Sequence, residues 1–230
     1  PNAAVHALIP LLAAIHEREA SGRGQHIDMS QLEAILAVFA EPLIDHAMNG
    51  RAARATGNSH QMMAPHGIYP AAGDDAWVSI AVADDAQWQA LIRHMGAPAW
   101  AGAARFATAR ERLRHAAELD AELAAWTRLQ EPRELASRLR SAGIACSPVQ
   151  DIAAQWADPQ FESRGIRQET THRLTGTEYL YRTPWTMERN GPQIQTSAPL
   201  LGEHNDQVFQ NLLGLDAQEV AQLKADGVIA

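Results

Sequence analysis

Two stretches with helical periodicity, separated by a short β-patterned segment, occupy roughly the first 50 residues. This succession constrains the fold more than any single motif. Val5, Leu8, Ile9, Leu12 and Ile15 recur at helical spacing, with Ala in most of the gaps, and predict a helix from about Asn2 to Ala20. Ser21-Gly22-Arg23-Gly24 breaks it, and Gln25-His26-Ile27-Asp28-Met29 reads as a strand. Ser30, with Glu33 three residues on, opens a second helix carrying Leu32, Ile35, Leu36, Phe39 and Leu43 on one face. Helix–strand–helix is the signature of an α/β layer rather than a bundle.

The first helix begins on Pro1, a residue favoured at the first helical position because its missing N–H is no loss there. Such a helix calls for an Asp, Ser, Thr or Asn cap just ahead of it, and a carboxylate at that point would be held by free N–H groups and the helix dipole. The chain therefore reads as cut at a helix N-terminus, although removal of an initiator Met ahead of Pro gives the same beginning.

Asn49 to Asn58 is polar and small, a linker. Beyond it His66–Pro70 and Ala76–Val82 form strands joined by a loop at Gly73. Asp84 caps a helix with Trp88, Leu91, Ile92 and Met95 on its inner face, ended by Gly96. Helices follow near Ala109–Arg128 and Pro132–Ala142, then a strand around Cys146 and short helices from Gln150 and Asp158-Pro159. Ile166–Thr171 and Glu178–Arg182 pair around Thr175-Gly176, and Asn205–Leu213 and Ala217–Ala225 close the chain as amphipathic helices. The expected partition is 1–48 in a large α/β domain, 49–56 as linker, 57–185 as an inserted α+β small domain, and 186–230 as linker and return to the large domain.

A net charge of −8 argues against a nucleic-acid surface. The apolar run Ala7–Ile15 is too short to span a bilayer and lacks the basic lead-in of a signal peptide, so no membrane partner and a cytoplasmic location are expected. Cys146 is the only cysteine, which fits a reducing compartment and a buried, inert thiol.

No P-loop, complete dinucleotide fingerprint or Gly-x-Ser-x-Gly elbow is present. His60 and His66 lack the companions of a zinc motif, so no metal is expected. The pairs Asp74-Asp75 and Asp84-Asp85 adjoin turns, where capping accounts for them. What remains is Gly57-Asn58-Ser59-His60-Gln61, small and polar enough to bring backbone N–H groups to a bound carbonyl, and His6, one turn into the first helix.

Four blocks, in order, resemble the class III CoA-transferases, the formyl-CoA transferase/CaiB-BaiF group. They are His16-Glu17-Arg18-Glu19 through Gly22–Ser30; Gly57-Asn58 with Ala64-Pro65-His66-Gly67-Ile68-Tyr69, Trp77 and Gln87-Trp88; Ala142-Gly143-Ile144 to Pro148-Val149 with Asp158-Pro159-Gln160 and Arg164-Gly165; and Ala198-Pro199-Leu200-Leu201-Gly202-Glu203-His204-Asn205 with Leu223 to Ile229. The resemblance implies a Rossmann-like large domain completed by both chain ends, an inserted α+β small domain and an interlocked homodimer. It also implies an N-terminal portion beyond this chain, with the catalytic Asp just before Pro1 and no catalytic residue within the chain. An Asp–Pro bond at that point is labile, so the chain is expected as the C-terminal product of cleavage there.

In such enzymes the Asp attacks an acyl-CoA thioester, and an aspartyl-CoA thioester then passes CoA to a carboxylic acid. Coenzyme A enters as substrate, and no permanently bound cofactor is implied. A Gly-rich lid of the family aligns near Ser59–Met63, where this chain has Ser-His-Gln-Met-Met; Met62 and Met63 would instead wall an apolar acyl pocket. The substrate- and CoA-binding candidates are Asn2, His6, Gln31, Ser59, His60, Gln61 and Met62. The alternatives are an acyl-CoA racemase or epimerase of the same superfamily, which takes a proton α to the thioester, and a non-catalytic subunit.

Overall fold

A computed structural model describes residues 2–229. Ten α-helices and five strands run through the described residues, in two compact units: one ends at Ser147, the other starts at Pro148.

The first unit opens with helix α1, Asn2–Ser21, which contains Pro10. Gly22, at φ 74°, follows α1, and its N–H bonds to Arg18 O at 2.8 Å. The expected strand at Gln25–Met29 is irregular chain instead. A strand is held by its ladder, and no strand among the described residues lies beside this segment to complete one. Ser30 does cap the next helix, α2 (Gln31–Leu36), accepting the Glu33 N–H at 3.3 Å. The single helix expected from Ser30 to Leu43 is two. Three-residue bonds from Val38 N to Ile35 O and from Phe39 N to Leu36 O tighten the chain out of α-helical register. The helix α3 (Ala40–Asn49) starts again beyond them and ends on left-handed Gly50.

The core of this unit lies further along. Strands β1 (His66–Pro70) and β2 (Trp77–Ala81) pair antiparallel, with Ile68 opposite Ser79. A third strand, β3 (Ala145–Pro148), pairs with β2, making the order β1-β2-β3. Alternation sends Tyr69, Val78, Ile80 and Cys146 into the core, whereas His66, Ile68, Trp77 and Ser147 lie toward the other face. Four helices pack against this sheet, α4 (Asp85–His94), α5 (Ala109–Arg114), α6 (Ala116–Thr127) and α7 (Pro132–Ser141), and two 3-10 turns, Ala99–Gly102 and Ala104–Phe106, add Ala101 and Phe106 to the core. The helix expected over Ala109–Arg128 is thus interrupted at His115. Trp88, Phe106 and Trp100 meet ring to ring, and Trp88, Leu91, Phe106, Leu119, Leu123 and Leu139 are fully buried.

The second unit begins with α8 (Ile152–Trp156) and α9 (Pro159–Ser163), capped by Asp151 and Asp158. The hairpin of β4 (Arg167–His172) and β5 (Gly176–Tyr181) follows. Trp156 packs edge-on against Tyr179 and Tyr181, with the Arg167 guanidinium over its ring. Where an amphipathic α-helix is expected, Asp206–Leu212 is a π-helix, and α10 (Ala217–Ala225) follows with a complete Asp216/Glu219 capping box. The backbone N–H of Leu200 and the guanidinium of Arg173 hold the Glu203 carboxyl below its usual range.

Candidate functional site

The segment between α3 and β1 has no regular structure, yet its end beside β1 is fastened to the sheet. The Asn58 carbonyl lies 2.6 Å from His66 Nδ1. A carbonyl oxygen only accepts, so Nδ1 carries the proton and the neutral ring offers Nε2 as an acceptor. His60 is held the opposite way: its Nδ1 accepts the Met62 N–H at 3.0 Å, which leaves Nε2–H as a donor. The two rings stand 5.1 Å apart. The exposed loop and the start of β1 therefore present an imidazole donor beside an imidazole acceptor.

Next to the loop, the open face of the three-stranded sheet forms a cleft of about 490 Å³. Asn58, His66, Ile68, Ser79, Arg140 and Ser147 are among the residues that line it. It is mostly apolar, with Arg140 as its cation. Cys146 also borders it, but burial pushes that thiol up to about 11, against which Arg140 acts only weakly, so it stays protonated at neutral pH.

Underneath, the Ala64 carbonyl accepts from Arg112 Nε at 2.7 Å. Pro65 O receives the Val82 N–H at 2.9 Å, which extends the pairing of β1 and β2 toward the loop. Arg112 is fully buried; its Nη1 reaches Phe106 O and lies 2.9 Å from Asp85, which resists the lowering of its pKa by burial.

The residues singled out from sequence fall into two groups. Ser59, His60, Gln61 and Met62 stand together on the exposed loop. Asn2 and His6 lie on α1 and Gln31 on α2, and the Asn2 side-chain amide donates to Ala34 O at 2.8 Å, joining the two helices. Among the described residues no hydrogen bond or ring contact connects the groups. The catalytic Asp expected before Pro1 lies outside the described residues. Sequence reasoning considered His66 only as a metal ligand and missed Arg112 and Arg140. Nothing in the pattern of α5 marks Arg112 as buried.

No helix among the described residues is long and apolar enough to cross a membrane, and among them no group of three or more His, Cys, Asp or Glu is arranged to hold a metal ion.

A profile of CoA-transferase family III matches residues 2–205. Over 99% of its length the chain is 32% identical to the succinyl-CoA–D-citramalate CoA-transferase of Chloroflexus aurantiacus, and it covers 56% of that protein. A probable CoA-transferase of Mycobacterium tuberculosis is 33% identical over 95% of the chain, which covers 27% of it. The crystal structure of a CaiB/BaiF family protein from Brucella suis superposes with a TM-score of 0.79 at 26% identity, over 92% of this chain and 54% of that one. The chain thus spans about half the length, or less, of the relatives it matches. With the mixed α/β fold, the ordered match across almost all of its residues and these relatives in agreement, the chain belongs to CoA-transferase family III.

Proposed function

We propose that this chain forms part of an enzyme that transfers coenzyme A between an acyl-CoA thioester and a carboxylic acid. The family match over residues 2–205 is the observation that carries the reading. Relatives named for succinyl-CoA–D-citramalate, succinate–glutarate and formyl-CoA:oxalate transfer all exchange CoA between acids.

In this reading the nucleophile is an Asp ahead of Pro1. Its carboxylate adds to the thioester carbonyl and expels CoA thiolate, leaving a mixed anhydride. The thiolate returns to the aspartyl carbonyl and releases the donor acid. The acceptor carboxylate then attacks the aspartyl-CoA thioester, and the thiolate it frees recaptures the new acyl group. Ser59, His60, Gln61 and Met62 face the reacting groups: His60 Nε2–H and the Gln61 amide orient a carbonyl oxygen, while Met62 walls an apolar acyl pocket. Asn2, His6 and Gln31 contact the CoA side. Residues 1–48 and 186–230 belong to a Rossmann-like large domain, residues 57–185 form the small domain, and the enzyme is a homodimer acting in the cytoplasm.

The test is to incubate the complete enzyme with an acyl-CoA and a second carboxylic acid, following both thioesters by mass spectrometry. New thioester at the expense of the old, with hydroxylamine converting one Asp to a hydroxamate during turnover, is the expected result. Solvent deuterium entering the α-carbon with no change of acid would overturn it in favour of a racemase.

A further inference from the structure

The loop at Ser59–Met63 has no ladder of its own, so something outside it must fix where it stands. The His66 ring holds it at the Asn58 carbonyl. At the other end, next to Met63, the Ala64 carbonyl is held by Arg112. Arg112 is an expensive way to hold it. Its guanidinium is fully buried, its ion-pair partner Asp85 is 54% exposed, and Nη2 has no hydrogen-bond partner among the described residues. Taking such a charge out of water commonly costs more than one ion pair returns, so what the buried guanidinium brings in exchange is its hydrogen bonds to the Ala64 and Phe106 carbonyls.

What the guanidinium supplies that an apolar residue would not is direction. It lies over the Trp88 ring at 5.3 Å, is pinned by Asp85 at 2.9 Å, and bonds Phe106 O at 3.3 Å. With these contacts its plane is set, and Nε points at Ala64 O from one position only. We infer that Arg112 is a positioning residue: its buried guanidinium, oriented by Trp88, Asp85 and Phe106, fixes the Ala64 carbonyl and so the placement of the Ser59–Met63 loop against substrate. The holding stands on geometry alone; its consequence for turnover rests on the proposed transferase function.

The experiment compares Arg112→Met and Arg112→Lys with the wild type in the complete enzyme. It measures hydrogen exchange of the peptide covering residues 58–64, the thermal midpoint, and kcat and KM for the acyl-CoA. For Arg112→Met the expected result is a lowered but still cooperative midpoint, because the Ala64 and Phe106 carbonyls lose a donor, exchange in the loop about tenfold faster, and kcat down at least tenfold with KM little changed, since loss of placement weakens the transition state more than binding. Lys keeps a donor and the charge but not the fork, so Arg112→Lys should fall between, and it serves if the Met variant does not fold. Loop exchange at the wild-type rate in both variants would overturn the inference whatever the activity. So would faster exchange with unchanged kcat while His60→Ala loses activity. A wild type that transfers no CoA would instead overturn the proposed function, with the exchange measurement still deciding the holding.

Discussion

Tyr69 Oη donates a 2.6 Å hydrogen bond to Asp120 Oδ1, which ties the edge strand β1 to α6. Tyr69 is 3% exposed, and burial together with the adjacent carboxylate raises its hydroxyl far above the ordinary range, so the donor never ionises in the folded protein. Tyr69→Phe keeps the ring and removes the donor. It should cost about 1–3 kcal/mol, because Asp120 loses a partner while half-buried. Urea titration checks this: the midpoint should fall and the slope should not change.

His60→Ala and Gln61→Ala act on exposed side chains that no core residue needs. Their stability should stay within about 0.5 kcal/mol of wild type. Under the proposed function each should lower kcat/KM for CoA transfer about tenfold, a loss of roughly 1.4 kcal/mol in transition-state stabilisation. Steady-state kinetics beside a thermal melt separates the two effects.

Cys146 yields a pH prediction. Desolvation favours its neutral thiol and lifts its pKa from the usual value of about 8.5 to about 11. Alkylation by iodoacetamide should be slow at pH 8 and accelerate as pH rises toward 11. The sign for stability follows: below the unfolded value both states hold the proton and the contribution is whole. Above it the unfolded thiol ionises first, and stability declines until the folded thiol ionises too. Chemical denaturation of wild type and Cys146→Ser between pH 8 and pH 11 should show curves that converge as pH rises.

The helices α1, α2 and α3 carry Val5, Ile9, Leu12, Leu32, Leu43 and Met48 on their surface, with Ile9 71% and Met48 78% exposed. Apolar area of this extent drives association. This 230-residue chain should therefore self-associate with rising concentration, and Ile9→Lys with Leu12→Lys should suppress that. Sedimentation velocity is the check, with the melting curve unchanged.

How much was legible in the sequence follows from the range of the forces involved. Caps are local, so Ser30, Asp84 and Asp158 marked their helices correctly. The hairpin at Gly73 and the Thr175-Gly176 turn were equally plain, since alternation and turn residues sit side by side. The segment Gln25–Met29 failed because a strand depends on a partner that its own residues do not specify. The break after Leu36 failed because Val38 and Phe39 keep the helical apolar spacing while the backbone leaves the register. The loop at Ser59–Met62 was legible as small and polar, but its fastening was not. Arg112 sits between Arg110 and Arg114, and charged side chains ordinarily stay in solvent; only the tertiary fold buries the middle one of the three.

The sheet places its central strand, β2, early in the chain and its last strand, β3, after four intervening helices. During synthesis the β1–β2 hairpin would emerge with one side of Trp77–Ala81 unpaired until Ala145–Pro148 leaves the ribosome. Such an edge invites pairing with other chains. A nascent chain stalled or truncated anywhere in α5, α6 or α7 would thus expose a sticky strand beside a half-formed core, and these breakpoints are where fragments should be found in inclusion bodies or bound to chaperones.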